Sequence, residues 1–417
     1  MIGGGLGDIQ EVLDAGAWLA RDGHRIRLYR ADDRPLPPGV DGPFAWPRHR
    51  RVGSLRPTAG RALTIAPTWG VAAAPARDEP FGRAGPWAVE AGAIEAAYGT
   101  VATIHVSLEE FARTYSSARE DRERYREGGA PGQGAHPRED VDRWRVAFRR
   151  HRALDRPNVL HLLATFAPSP AYGREFPEMV QTGPLWPAPM RHGPTPSRSK
   201  GAPLIWYASP STADRLATDV VSGARRADAR IPIRIRSPHP LPGATGPDVR
   251  VERSPRPVTV WRREFAGARL RIVTGSRTLL EALAVGGPFL YFNGIHRPRG
   301  RPARRHRPEK IQALLAIYRR AGVRAEVVRD LDAFSRGHRV AEVVARALTD
   351  TPWRRAFPPR RALGRWLPPP AEATLRAVAA RWARSEDDAA AVVADVRALG
   401  RVSSLRRVPV SDTDDAR

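Results

Sequence analysis

The stretch that decides the fold is TGSRTLLEALAVGGPFLYFNG, Thr274 to Gly294. It begins where the apolar run RLRIVTG ends, turns at a Gly-Ser pair, and continues with apolar residues at helical spacing. The stretch ends with a second apolar run, PFLYFNG. Strand, turn, helix and strand in this order predict a parallel βαβ unit.

The polar residues of this stretch suit a diphosphate and a ribose. Gly275 lets the backbone approach a ligand closely, and exposed N–H groups at a helix start favour an anion. Ser276 and Thr278 add hydroxyl groups, and Glu281 is placed to accept two ribose hydroxyls. A capped helix with Leu279 and its apolar neighbours in a core gives the same pattern, so the residues alone leave both interpretations open.

The alternation of strand and helix extends outward from this unit in both directions. It runs from Ala202 to about residue 345 and also occupies residues 1 to about 110. Repeated alternation of this kind predicts an α/β protein with parallel sheets. The predicted strands are HRIRLYRA, ALTIAP, VATIHVS, NVLHLLATFAPSP, APLIWYASPS, IPIRIRS, DVRVERS, RLRIVTG, PFLYFNG and RAEVVRD. The predicted helices include DIQEVLDAGAWLARDG, VEAGAIEAAYG, TADRLATDVVSGARRA, SRTLLEALAVG, EKIQALLAIYRRAG, HRVAEVVARALTD and one long helix, PAEATLRAVAARWARSEDDAAAVVADVRALG.

A chain of 417 residues is too long for one ordinary core, so we expect two domains. Residues 1–187 form the first, with a charged insertion at about 112–152. The proline-rich residues 188–201 are the linker, and residues 202–350 form the second domain. Residues 351–417 are predicted to be a proline-rich connector and a C-terminal helix.

Composition excludes several classes of protein. The chain has no cysteine, which removes disulfides, thiolate nucleophiles and cysteine metal sites. No apolar run is long enough to span a bilayer, and the start MIGGGLGDIQEVLD lacks the features of a signal peptide. We therefore expect a cytoplasmic protein.

The net charge of +25 is the outlying feature of the composition. A positive field of this size attracts polyanions. An arginine-rich composition explains the charge equally well, so the charge alone does not identify a partner. The basic loop RPRGRPARRHRPEK, Arg297 to Lys310, is suited either to phosphates or to an anionic membrane surface. A basic loop without a ligand is the alternative, and association with a membrane stays open.

The segment GGGLGD places Gly3, Gly4, Gly5 and Gly7 before Asp8 at the start of a helix. Such a loop favours close approach of a substrate, and Asp8 is either a helix cap or a carboxylate at the mouth of a cleft. A glycine loop normally follows a strand, yet only two residues precede this one. Either the first strand is missing or the true start lies upstream.

Metal and cofactor signals are weak. The acidic pairs Asp140/Asp142 and Asp330/Asp332 lie in or next to predicted helices, and the histidines show no paired ligand spacing. No G-x-S-x-G elbow of a serine hydrolase is present. We expect no metal and no cofactor.

Several motifs in a fixed order resemble those of GT-B glycosyltransferases. GGGLGD with DGHRIRLY resembles the start of these enzymes. QTGPLWP resembles the end of their N-terminal domain, and APLIWYASPS resembles the first strand of their nucleotide-binding domain. TGSRTLLEALAVGGPFL resembles their donor signature, and HRPEKIQALLAIYRRAG the segment after it. The nearest group is glycosyltransferase family 28, which includes the peptidoglycan N-acetylglucosaminyltransferase.

The resemblance implies two Rossmann-like domains facing across a cleft, with a nucleotide-sugar as co-substrate and no metal. It puts Gly275, Ser276 and Thr278 at the diphosphate, and Glu281 at the ribose. The sugar would lie near the three remaining donor-site positions, Asn293, Glu309 and Lys310. The chain departs from the family where Asp8 replaces a histidine and where Val273-Thr274-Gly275 replaces His-Gly-Gly.

The implied reaction transfers a sugar, expected to be UDP-linked, to an unidentified hydroxyl acceptor (a glycan, a lipid-linked sugar or a small molecule). Asp8 is the first candidate for the base that deprotonates the acceptor, and His105 is the second. A sugar-nucleotide 2-epimerase of the same fold and a non-enzymatic polyanion-binding protein are the alternatives. No specific nucleic acid is predicted as a partner.

Overall fold

The computed structural model describes thirteen segments of the chain. These are residues 6–26, 29–30, 50–51, 61–67, 102–110, 157–164, 179–188, 201–208, 214–237, 240–253, 258–292, 309–367 and 369–405. They contain two larger parallel sheets with helices packed on them, so the predicted α/β class is confirmed.

The first sheet has four parallel strands whose order in space follows the order in the chain, β3-β4-β5-β6. They are β3 (Arg61–Pro67), β4 (Ala102–Glu110), β5 (Val159–Ala164) and β6 (Met179–Thr182). A separate pair of short parallel strands, β1 (Tyr29–Arg30) and β2 (Arg50–Arg51), precedes it. Of the predicted strand HRIRLYRA, Tyr29 and Arg30 form β1, residues 24–26 are not in a strand, and the other three positions lie outside the described residues.

The second sheet has five parallel strands in the order β11-β10-β7-β8-β9. They are β7 (Leu204–Tyr207), β8 (Ile233–Arg236), β9 (Val249–Glu252), β10 (Leu270–Val273) and β11 (Phe289–Tyr291). The chain builds outward from β7 to β9 and then returns to place β10 on the other side of β7. Strand order therefore reverses between β7 and β10, and ligands of such sheets bind outside the carboxyl ends of the strands at this point.

The described helices number eleven. They are α1 (Leu6–Arg21), α2 (Asp214–Ala227), α3 (Val258–Ala266), α4 (Ser276–Val285), α5 (Glu309–Arg320), α6 (Ala325–Ser335), α7 (Val340–Thr349), α8 (Thr351–Arg355), α9 (Arg360–Leu363), α10 (Ala371–Arg384) and α11 (Ala389–Leu405). The predicted helix VEAGAIEAAYG and the charged insertion at about 112–152 lie outside the described residues.

Two predictions of secondary structure are wrong. The stretch RAEVVRD is not a strand, because it forms most of α6, where Val327, Leu331 and Phe334 follow helical spacing into the core. The long C-terminal helix is divided into α10 and α11 at the sequence SEDD. There the Ser385 hydroxyl bonds the Asp387 carboxylate, a local bond that competes with helix continuation.

The two sheets have separate cores, and the chain crosses between them twice. The second core continues past residue 350 through Trp353 to Leu367, whereas α10 and α11 pack on the first sheet. The segment that leaves the first sheet after β6 meets the segment that returns to it before α10. There the Gly183 N–H donates to the Pro369 carbonyl over 2.7 Å. The region predicted as a connector is thus shared between both cores.

Candidate functional site

The crevice between the carboxyl ends of β7 and β10 is the first element of the candidate site. The Thr274 hydroxyl donates to the Tyr207 carbonyl across it over 2.9 Å, which ties the two strand ends together. Gly275 then turns the chain with φ of 79°, a conformation that favours glycine, and α4 begins at Ser276. The sequence folds this way because a short glycine turn links a buried strand directly to an apolar helix.

The N-terminus of α4 is open toward this crevice. Gly275 at the N-cap provides no side chain to the N–H groups of the first turn, and a Cβ placed there would meet nothing within 4 Å. N–H groups without a side-chain cap, together with the positive end of the helix dipole, form an anion-binding position. The geometry is therefore that of a phosphate site at a reversal of strand order.

Thr278 has a different environment from the one predicted for it. Its hydroxyl donates to the carbonyl of Thr274, which lies two residues before the start of α4. A hydroxyl has a single proton to donate, and a phosphate oxygen needs a donor. In this conformation the backbone N–H groups, and not Thr278, supply the donors for an anion.

Helix α1 lies against the start of α4 through a buried ion-pair network. Asp14 of α1 is fully buried and receives the Arg277 guanidinium from the second residue of α4. Its carboxylate also accepts bonds from Arg262 of α3 at 3.0 and 3.1 Å and from the Ala188 N–H at 3.2 Å. This network connects the first domain, the outgoing crossover and the second domain.

Glu281 belongs to the same network. Its side chain is only 6% exposed, and its Oε1 accepts two bonds from Arg262, at 2.9 and 2.6 Å. Burial raises the pKa of this carboxyl, while the two nearby guanidinium groups oppose that shift. Glu281 therefore has a structural partner, and its contact with a ribose remains a proposal.

A buried polar stripe on α1 faces the second domain, and sequence reasoning did not find it. Gln10 lies one helical turn before Asp14 on the same face, and Glu11 lies beside it; both are buried. Among the residues that the structure describes, neither side-chain amide atom of Gln10 has a hydrogen-bond partner. Polar residues at i and i+4 in an otherwise apolar helix, here Gln10 and Asp14, were the signal that could have revealed the stripe.

An aromatic and charged cluster lines the same edge of the second sheet. Tyr207 makes an edge contact with Trp261, with ring centroids 4.9 Å apart, and burial raises the pKa of its phenol. Arg236, at the end of β8, bonds Glu252 at the end of β9 and Glu264 of α3. The carboxyl edge thus carries rings and paired charges next to the α4 start.

The remaining predicted residues are placed as follows. Gly7 and Asp8 lie in the first turn of α1, and Glu309 and Lys310 begin α5, with their side chains outside the described parts. Four further predicted positions, Gly3, Gly4, Gly5 and Asn293, lie outside the described residues. So do residues 297–308 of the basic loop and the pair Asp140/Asp142.

His105, the second candidate base, lies inside the first sheet. Its Nδ1 is 2.7 Å from the Thr64 hydroxyl of β3, and it pairs in register with Val159, the first residue of β5. Burial lowers the pKa of its imidazole. His105 is thus five residues from the carboxyl end of β4 and is not brought together with the α4 start.

The second acidic pair has internal partners. Asp330 is buried and accepts bonds from Arg346 at 2.9 Å and from the Trp353 indole at 3.1 Å, while Asp332 pairs with Arg336. Among the described residues no group of three or more His, Asp or Glu side chains is arranged to hold a metal ion. The carboxylate of Asp330 therefore joins α6 to α7 and α8.

No protein-family model matches the chain, and neither does any curated protein. Solved structures that resemble it are glycosyltransferases. Glycosyltransferase VinC in complex with dTDP is 13% identical, with 80% of this chain and 72% of that chain covered and a TM-score of 0.36. The calicheamicin glycosyltransferase CalG4 is 16% identical, with 82% and 76% covered and a TM-score of 0.33.

MurG of Acinetobacter baumannii is 10% identical, with 70% of this chain and 99% of that chain covered and a TM-score of 0.29. The expected resemblance to GT-B glycosyltransferases is therefore found among solved structures. In the part of the chain that the structure describes, no helix has the length and apolarity to cross a membrane.

Proposed function

We propose that this protein is a metal-independent glycosyltransferase that takes its sugar from a nucleotide-sugar, with UDP as the expected nucleotide. The observation that carries the proposal is the uncapped start of α4 at the reversal of strand order, opposite α1 of the first domain. A diphosphate placed there would meet backbone N–H groups and the helix dipole.

The chain's own residues would then divide the work between the two domains. Asp8, in the first turn of α1, takes the proton from the acceptor hydroxyl. The freed oxygen attacks the anomeric carbon, the bond from that carbon to the diphosphate breaks, and the diphosphate leaves with the electron pair. The α4 N–H groups near Gly275 stabilise its negative charge, which is the task a metal performs in other transferases.

The proposal also includes contacts to the sugar and to the ribose. Asn293, Glu309 and Lys310 are the proposed sugar-side residues, and Glu281 is the proposed ribose contact. A Glu281→Ala variant would leave Arg262 with one carboxylate partner fewer, so its effect would report on the domain interface as well as on the nucleotide. Ligand binding is better tested at positions outside the ion-pair network.

A screen of nucleotide-sugars by thermal shift, followed by product analysis, tests the proposal. The matching donor should raise the melting temperature by mass action, and incubation with acceptors should release the free nucleotide diphosphate. The same activity should persist in the presence of a chelator. A chain that no nucleotide or nucleotide-sugar stabilises would contradict the proposal.

The role of Asp8 is tested by Asp8→Asn. This change keeps the shape of the side chain but removes the base, so turnover should fall by roughly 10²–10⁴-fold with the melting temperature unchanged. Turnover of the variant with the identified donor, beside its melting curve, is the measurement. Near-normal turnover would remove Asp8 as the base and leave the donor site untouched.

A further inference from the structure

Gln10 of α1 is a buried polar residue that the ion-pair network does not use. It is only 6% exposed, and in the described part of the chain neither its Nε2 nor its Oε1 has a hydrogen-bond partner. A carboxamide offers two N–H donors and a carbonyl acceptor, and burying it without partners lowers the stability of the fold. A group of this kind at a domain interface is suited to a ligand that supplies the missing hydrogen bonds.

The contacts of two neighbours on α1 fix the direction in which Gln10 faces. Asp14, one turn later, binds Arg277, the second residue of α4, and Trp18, a further turn on, donates to the Trp186 carbonyl over 2.9 Å. Residues four apart lie on the same face of a helix, so Gln10 belongs to the face that meets α4. It lies about 6 Å from Asp14 along the helix axis, and so beside the first turn of α4.

The nearest residues of α1 leave Gln10 a way toward the start of the helix. Gly7, three positions earlier and on the same side of α1, has no side chain that could cover it from that direction. Rotation about the side-chain bonds of Gln10 can therefore turn its amide toward the helix start. The amide then lies in the crevice that the open start of α4 also borders.

The chemistry of the amide favours a hydroxyl over a phosphate as its partner. A phosphate oxygen only accepts, so it would use the Nε2 donors and leave Oε1 without a partner. A hydroxyl both donates and accepts, so neighbouring hydroxyls of a sugar can satisfy both ends of the amide. The buried carboxylate of Glu11, next to Gln10 in α1, also opposes an anion at this position.

We propose that Gln10 is a specificity-determining residue that binds sugar hydroxyls in the crevice between α1 and α4. Its Oε1 accepts a hydrogen bond from one hydroxyl, and its Nε2 donates to the oxygen of a neighbouring hydroxyl. The hydroxyls belong either to the sugar of the donor or to a glycosidic acceptor, which offer the same chemistry. This inference rests on the proposed function, because it concerns the substrates of that reaction.

Gln10→Met in the full chain tests the inference, since methionine keeps the length of the side chain and removes both polar atoms. Removal of an unpaired buried amide should raise the melting temperature, by about 2–6 °C. Titration calorimetry should give an unchanged affinity for UDP alone. A contact with the donor sugar predicts an affinity for the nucleotide-sugar about tenfold weaker than in the wild type. A contact with the acceptor predicts an unchanged donor affinity and a loss of about tenfold in kcat/KM for the acceptor.

The matched control is Gln181→Met in β6, the same substitution at a half-buried glutamine that has an interaction within the chain. It should not raise the melting temperature, and it should leave the ligand constants unchanged. Unchanged ligand constants in Gln10→Met beside a wild type that binds the nucleotide-sugar would overturn this inference alone. A lower melting temperature of Gln10→Met would do the same, because it would show a structural role. No binding of any nucleotide-sugar by the wild type would contradict the proposed function and this inference with it.

Discussion

Arg262 and Arg271 are both buried, yet they are held in different ways. Arg262 of α3 binds the carboxylates of Asp14 and Glu281, and these charges raise its pKa. Arg271 of β10 donates to backbone carbonyls, those of Phe265 at 2.7 Å, Gly286 at 2.8 Å and Ala266 at 3.0 Å, and its guanidinium also lies over the Phe265 ring. Burial lowers the pKa of Arg271 to about 10, so it remains charged at neutral pH.

The difference separates the domain interface from the domain interior. Arg271 satisfies carbonyls at the ends of α3 and α4, where the helix dipoles are negative, and so it fixes two helices on one sheet. Arg262 joins parts of two domains, and its charge is balanced by acidic residues from both. Variants of the interface should therefore change how the domains sit together, and variants of the interior should change stability alone.

Removing Asp14 should have the largest effect. Asp14→Ala leaves Arg262 and Arg277 buried with one carboxylate between them, which should lower the free energy of unfolding by about 3–5 kcal/mol. Denaturant unfolding measures this, and small-angle scattering should show a larger radius of gyration. Asp22→Ala, directly after the end of α1, removes the exposed pair with Arg376 and should cost only about 0–1 kcal/mol. Equal costs at the two positions would contradict the account.

Removing the Arg271 guanidinium should have a smaller effect, confined to the second domain. Arg271→Met keeps the apolar stem but leaves two buried carbonyls and one partly buried carbonyl without this donor, so the free energy of unfolding should fall by about 2–3 kcal/mol. Scattering should show an unchanged radius of gyration. An expanded particle in this variant would show that the interior and the interface are not independent.

The smallest expected effect concerns His105 in the first sheet. Because burial lowers its pKa below the ordinary 6.5, the folded protein holds it neutral while the unfolded chain protonates it. The contribution of His105 to the free energy of unfolding is therefore fully present above about pH 6.5. It is lost as the pH falls below that value, by up to about 1.4 kcal/mol per pH unit. The measurement is unfolding at several pH values, for the wild type and for His105→Gln. Identical pH slopes in the two proteins would contradict the burial argument.

Much of the fold could be predicted from local patterns. Runs such as IPIRIRS and RLRIVTG become β8 and β10, because apolar residues that alternate with polar ones predict a strand. The stretch RAEVVRD was wrongly predicted to be a strand. So short a mixture of apolar and charged residues fits a strand and a helix equally well, and tertiary contacts decide between them. The return of α10 and α11 to the first core depends on contacts across the whole chain, which no local pattern encodes.

The candidate site was only partly predictable. The glycine turn and the α4 start follow from Gly275 and its flanking strand and helix, because that conformation depends on local sequence. The network in which Arg262 binds both Glu281 and Asp14 could not be predicted, since Arg262 and Asp14 lie 19 and 267 positions from Glu281 in the sequence. Gln10 was not predicted, because a polar residue in a helix is usually exposed to solvent and the sequence does not show that this one is buried.

The central claim is that the open start of α4 binds the diphosphate of a nucleotide, and Gly275 offers the most direct test. Gly275→Asp places a carboxylate where the phosphate should lie, whereas Gly275→Asn places a neutral group of the same shape under the same backbone strain. Titration calorimetry with UDP should give wild-type binding, a moderate loss in Gly275→Asn, and a further loss of at least about tenfold in Gly275→Asp. Equal UDP affinities in the Asp and Asn variants, or no binding of UDP or another nucleoside diphosphate by the wild type, would contradict the account.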